Sequence, residues 1–212
     1  MKLALALALA LIALARPALA DEAVPRAAVE ADMLSYYDGE EDSAFLAVGL
    51  GIAAIGIGIP LVTESSDFAR GLGVPLLSLG ALEGIGGLFY AYQVRAEIRH
   101  YQALLASDPV GFAKEERAHI EGTQARFGLY LAIEIGLAAA GVAFAGWGFA
   151  AKEPLNQGIG IGLFSIGAPF FIIDNINNVR ASRYYNRVKR FDPKLAVAAD
   201  SRGWRLALGT RF

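Results

Sequence analysis

The sequence predicts an all-α membrane protein: four transmembrane helices arranged as two tandem hairpin repeats with polar helical extensions. Three observations carry this expectation. Of the 212 residues, 55% are apolar and only 19% charged, less charge than the roughly one quarter of an ordinary soluble domain. Four stretches are long enough to cross hydrocarbon while carrying at most one ionisable side chain each: Ala44 to Thr63, Gly71 to Val94 with Glu83, Phe127 to Ala151 with Glu134, and Pro154 to Ile173. Finally, GLGVPLLSLGA at 71–81 returns as GIGIGLFSIGA at 158–168, with glycines, a leucine, a serine and the closing Gly-Ala in step.

In chain order, residues 1–20 place one lysine before an apolar run and close on Ala18-Leu19-Ala20. That is the pattern of a secretory signal peptide cleaved before Asp21, and the run is too short for a span. An uncleaved anchor is the alternative. Residues 21–43 form an acidic N-terminal segment with eight acids against the single Arg26. Residues 44–109 are the first membrane hairpin repeat with its helical extension, 110–126 a linker helix, 127–193 the second repeat with its extension, and 194–212 a basic tail. The gaps ESSDFAR and AKEPLNQ are too short for anything but a tight turn. Each second helix runs into a charged stretch ending in Asp-Pro, at Pro109 and Pro193, and proline disfavours helix at the residue before it. Two units joined in one orientation are parallel repeats about an axis along the membrane normal, with Ser78 matching Ser165 and Gly80 matching Gly167. In the tail, Trp204, Leu206, Leu208, Thr210 and Phe212 alternate with other residues, a strand pattern consistent with a short C-terminal β-hairpin.

Helices in lipid gain little from burying apolar surface against one another, so small residues that admit close backbone approach mark the seams. Pairs at the right spacing are Gly49 with Ala53, Ala54 with Gly58, Gly80 with Gly84, Gly141 with Ala145, and Gly158 with Gly162. Glycines inside apolar spans do not make a nucleotide-binding loop.

Sidedness is contradictory. Four spans put both mature ends and the linker 95–126 on one side, which holds most of the Lys and Arg; Arg70 and Lys152 are alone on the other. The positive-inside rule assigns the rich side to the cytoplasm, whereas the leader exports it. Inner and outer membrane of a bacterial cell envelope both stay open.

Two sets of residues carry chemistry. Glu83 and Glu134 are ionisable groups within spans, roughly 16 Å and 10 Å from the linker side at about 1.5 Å per residue. Carboxyls in hydrocarbon face a partner or a water-filled path, so the pair forms an intramembrane polar site; the alternative is a protonated carboxyl bonded to a neighbouring helix near Ser78 or Ser165. The linker holds Glu97 with His100 and Glu116 with His119, each pair on one helix face. Two Glu-x-x-His pairs are half of a di-metal carboxylate site, which needs a glutamate from each of two further helices. No metal or other cofactor is therefore expected. Cysteine is absent, which removes disulfides and thiolate metal sites. No Ser/His/Asp set or P-loop is present.

The segment FFIIDNINNVRASRYYNR, with Asp174 and the pair Tyr185-Asn186, resembles uncharacterised small bacterial envelope proteins in which a signal peptide and Gly-rich membrane hairpins precede an Asp and a trailing Tyr-Asn. That resemblance implies class and no activity. The expected partners are the lipid bilayer and, through the basic tail, anionic headgroups or other envelope proteins; a homo-oligomer is open, and nucleic acid is not expected. The leading functional expectation is a non-enzymatic envelope protein with a scaffold or interaction role. The alternatives are an oligomeric pore or transporter using Glu83 and Glu134, and a membrane metalloenzyme using the linker pairs.

Overall fold

The computed structural model describes residues 24–193; the signal peptide expected at 1–20 and the short β-hairpin expected within 194–212 lie outside the described residues. Four helices follow one another: α1 Arg26–Thr63, α2 Asp67–Ser107, α3 Pro109–Ala151 and α4 Pro154–Arg190. Each is long and apolar enough to cross a membrane. With 37 to 43 residues apiece they run about 55–65 Å, nearly twice the ~30 Å of hydrocarbon. Roughly half of every helix must therefore stand in water, and the packing changes accordingly along its length.

Turn chemistry sets the boundaries. Ser66 caps α2 by accepting from the Ala69 amide. Asp108 ends α2 and starts α3, its Oδ1 accepting the Gly111 amide at 2.9 Å ahead of Pro109, a proline position in which the missing N–H costs nothing. Lys152, in the left-handed region at φ 57°, closes α3, and Pro154 opens α4.

In the spanning halves the seams are backbone against backbone. In the first hairpin Gly58 lies on Gly73 and Leu77, and Gly80 on Gly51 and Ala54. In the second, Gly141 lies on Gly160 and Phe164, and Gly167 on Glu134 and Ala138. The hairpins meet through α2 and α4, where the contacts are reciprocal: Gly71 sits against Leu155 and Ile159, and Gly158 against Phe68 and Leu72. A Cβ at either glycine would strike main chain. Gly49, by contrast, looks onto open space, so the Gly49–Ala53 pair belongs to no seam among the described residues. Large side chains such as Ile52, Val74, Leu88 and Phe149 point outward, as a lipid-facing surface requires.

The aqueous halves obey the opposite rule. Val29, Met33, Tyr37, Val94, Leu105, Phe112, Ile120, Ala181, Tyr184 and Val188 form one buried core, and each large side chain removed from water contributes about 1.5–3 kcal/mol. Two segments differ from expectation here. The acidic stretch is helical from Arg26 and continuous with the first span, because Val29, Met33, Tyr36, Tyr37 and Glu40 recur at helical spacing and turn inward. The linker helix and the third span are likewise one helix, since nothing between Arg126 and Phe127 breaks it. Asp32 pairs with Arg187 of α4 at 3.4 Å and Glu41 with Arg95 of α2 at 2.6 Å, so the acidic α1 end is held by bases of both neighbouring helices.

Gly158→Leu is expected to lower the unfolding temperature of detergent-purified protein, since its side chain must displace α2 backbone; overpacking of this kind costs about 1–3 kcal/mol or more. Gly49→Leu should leave it unchanged. Thermal unfolding followed by circular dichroism measures both, and equal effects would show that the seam does not depend on close approach.

Candidate functional site

Beyond Pro75 and Gly162, which still touch, the space between α2, α3 and α4 opens into a cavity of about 550 Å³. Every helix contributes a carboxyl to its lining: Glu40 from α1, Glu83 from α2, Glu134 from α3 and Asp174 from α4. Glu83 and Glu134, singled out by their depth in the spans, are thus brought to one place. Asp174 lies within electrostatic reach of both. Ser78 takes no part in holding them, since its hydroxyl donates to the Val74 carbonyl of its own helix at 2.8 Å.

The hydrogen-bonding capacity of these acids is incompletely used. Glu134 is buried beside Asp174, close enough for the two carboxyls to share a proton, and no N–H or hydroxyl donor reaches its Oε2; Glu40 is buried too, with one oxygen accepting the Tyr90 hydroxyl and no donor at Oε1. A polar lattice crosses the water-facing end between α1 and α4. Ser43 donates to Asn177 Oδ1 at 2.8 Å, and Arg180 donates to the Gly39 carbonyl at 2.7 Å and to Asn177 at 3.2 Å. Arg126, the basic side chain in the lining, donates to Thr123 Oγ1 at 3.0 Å.

The mouth lies on the other side. Lining residues of α2 and α3 that stay exposed are Leu82, Gly86 and Phe89, and Arg126, Tyr130 and Ile133, so the cavity opens sideways between these two helices, with the charged Arg126 at the water-side end of the opening. In the aqueous half the two helices pack around Tyr101 and Phe112. Phe127 and Phe170 complete an otherwise aromatic wall.

The linker residues take a different arrangement from paired Glu-x-x-His units. His100 is exposed, 3.4 Å from Glu115, and His119 is half-buried, 3.5 Å from Glu97. Each histidine thus meets a carboxylate of the opposite helix. Glu116 turns away into the core, fully buried, where the Tyr37 hydroxyl donates to its two oxygens at 3.0 and 3.1 Å. Among the described residues no group of three or more His, Cys, Asp or Glu side chains is placed to hold a metal ion.

Burial pushes the Glu116 carboxyl up to about 7; the Tyr184, Tyr37 and Tyr101 hydroxyls oppose that rise and Glu97 adds to it. The buried Tyr37 and Tyr184 phenols are raised by desolvation and then by Glu116. Burial lowers His119 against the attraction of Glu97. Glu116, under a ring of tyrosines, is accordingly part of the aqueous core.

Sequence reasoning missed two of the four cavity acids. Asp174 follows the last apolar residue of its span, and Glu40 sits inside the acidic run Asp38 to Asp42. The available signal for Glu40 was its spacing from Met33, Tyr37 and Ala44, which places it on the inward face of a helix. No protein-family model, curated protein or solved structure matches this chain.

Because the folded Glu116 carboxyl ionises near 7 rather than at 4.5, the unfolded chain releases this proton first, and stability falls as pH rises between those values and levels off above them. A shift of that size corresponds to about 3 kcal/mol. Glu116→Gln, which keeps an acceptor for Tyr37, should shrink the difference in unfolding temperature between about pH 5 and about pH 8. An unchanged difference would assign the pH dependence to other groups.

Proposed function

We propose that the chain is a non-enzymatic integral protein of the bacterial cell envelope whose intramembrane cavity binds a cation. The observation that carries this reading is a cavity lined by four acids, Glu40, Glu83, Glu134 and Asp174, in which one buried oxygen of Glu134 and one of Glu40 meet no N–H or hydroxyl donor. Unsatisfied acceptors in a low-dielectric site call for a donor or a positive charge. Of the functions raised by the sequence, this favours intramembrane use of Glu83 and Glu134 over a pure scaffold. The linker pairs, split between different partners, give the metalloenzyme no support.

Binding is a better description than conduction through a pore, because the cavity ends at the Gly71–Leu155 and Gly158–Leu72 contacts, where main chains touch. Release on the far side would need α2 and α4 to part. The matching contacts of the two hairpins support a tandem duplication: Gly58, Gly73 and Leu77 correspond to Gly141, Gly160 and Phe164, and Gly80 corresponds to Gly167. The leader supports export of the acidic end, and the basic tail suits anionic headgroups.

Radiolabelled tetraphenylphosphonium, which permeates bilayers, is the direct probe. Protein in nanodiscs of zwitterionic lipid should bind it saturably above empty discs, and Glu134→Gln should weaken that binding about tenfold, equivalent to ~1.4 kcal/mol. Absence of saturable binding, or equal binding by the variant, overturns the reading.

A further inference from the structure

We infer that the occupant of the cavity is a cationic amphiphile, a long-chain ammonium compound that enters sideways from the hydrocarbon between α2 and α3 and sets its charged head among Glu134, Glu83 and Asp174. This rests on the cation-binding reading above and adds the chemical class of the ligand and its route.

The route follows from which walls are closed. Toward water the α1–α2 and α1–α4 sides are crossed by the Tyr90–Glu40 hydrogen bond and by the Ser43–Asn177–Arg180 lattice, while the exposed Arg126 stands at that end between α2 and α3. Toward the turns the cavity is sealed by the glycine contacts of α2 and α4. The open side is bordered by Leu82, Phe89 and Ile133, which are 66%, 71% and 51% exposed. All three lie within apolar spans, so the mouth looks into lipid tails. Along this stretch a small hydrated ion has no favourable path, because leaving water for hydrocarbon is prohibitive for it. An amphiphile arrives there already dissolved in the bilayer, held by the burial of its methylenes.

The charge of the head follows from the lining. Four carboxyls face the cavity against Arg126, which stands at the water-side end and is engaged with Thr123. An anionic head would meet that acidic cluster, whereas an ammonium head beside Glu134 finds Oε2, which no N–H or hydroxyl of the protein reaches. Phe89, Tyr90, Phe127, Tyr130 and Phe170 supply ring faces, which attract an alkylated ammonium where it is desolvated. The volume of about 550 Å³ lies in the range of small-molecule sites and holds a head with part of a chain.

Gly86 offers a way to close the mouth without disturbing a seam. It lines the cavity, and a Cβ built there meets nothing within 4 Å. In nanodiscs carrying labelled tetraphenylphosphonium, dodecyltrimethylammonium should displace the label at a concentration at least about tenfold lower than tetramethylammonium, and dodecyl sulfate should not displace it. Gly86→Trp should raise the dodecyltrimethylammonium concentration required by about tenfold, with an unfolding temperature like that of the parent. If the label binds but the two ammonium compounds displace it alike, or dodecyl sulfate competes, the amphiphile inference falls and cation binding stands. Gly86→Trp behaving as the parent overturns the sideways route. If the label does not bind at all, both readings fall together.

Discussion

Main-chain contact between α2 and α4 is the constraint from which the rest of the architecture follows. Where Gly71 meets Leu155 and Gly158 meets Leu72, no side chain separates the two helices. Lipid supplies little force to press apolar helices together, so dispersion over closely fitted surfaces has to hold the seam. Fixing the two central helices at their turn ends leaves them free to diverge above Pro75 and Gly162. The cavity occupies that divergence, and α1 and α3, each tied to its hairpin partner by further glycines, become its outer walls. A wider residue at the seam would alter the tilt of both central helices, and with it the distance between the acids they carry.

Each helix serves two solvents, and its sequence changes rule at the border. Below the border, bulky residues point out and glycines point in; above it, tyrosine, phenylalanine and valine point in and charges point out. The border itself is polar and crowded. Glu40, Ser43, Tyr90, Asn177 and Arg180 bond across three helices there. Such a layer separates the aqueous core from the cavity, and it couples them, because Tyr36 and Tyr37 of the core stand one turn from Glu40 on α1.

Much of this was legible without coordinates. A span is announced by twenty apolar residues, and a turn by seven residues that hold nothing else. Asp108-Pro109 announces both a stop and a start. Glu83 and Glu134 stood out because charge is rare where they occur. Asp174 and Glu40 did not, because charge is common at the ends of spans and spacing alone says little about depth. The histidines show a different limit. The i,i+3 spacing puts Glu97 with His100 and Glu116 with His119 on one face of a helix, but how far each helix is rotated against its neighbour depends on the core. Phe112, Ile120 and Tyr37 set that rotation, and it turns Glu116 inward while leaving His119 to Glu97. The acidic segment misled for a related reason: its charges mask an inward stripe of only a few residues, which gains meaning once three other helices are present to receive it.

Glu116 and Glu134 make an instructive pair, since both are buried carboxyls on α3, about five turns apart. Around Glu116 the fold supplies donors of its own: Tyr37 bonds both oxygens, and Tyr101 and Tyr184 stand close enough to favour the charged form. Around Glu134 it supplies other acids and leaves Oε2 without an N–H or hydroxyl donor. Burying a carboxyl costs several kcal/mol when its acceptors go unmet, and tyrosines at the Glu134 level, such as Tyr130, line the same cavity without meeting that need. A purely structural acid is expected to look like Glu116, satisfied from within. An acid whose partner comes and goes must keep an open valence when alone, and Glu134 together with Oε1 of Glu40 has that form.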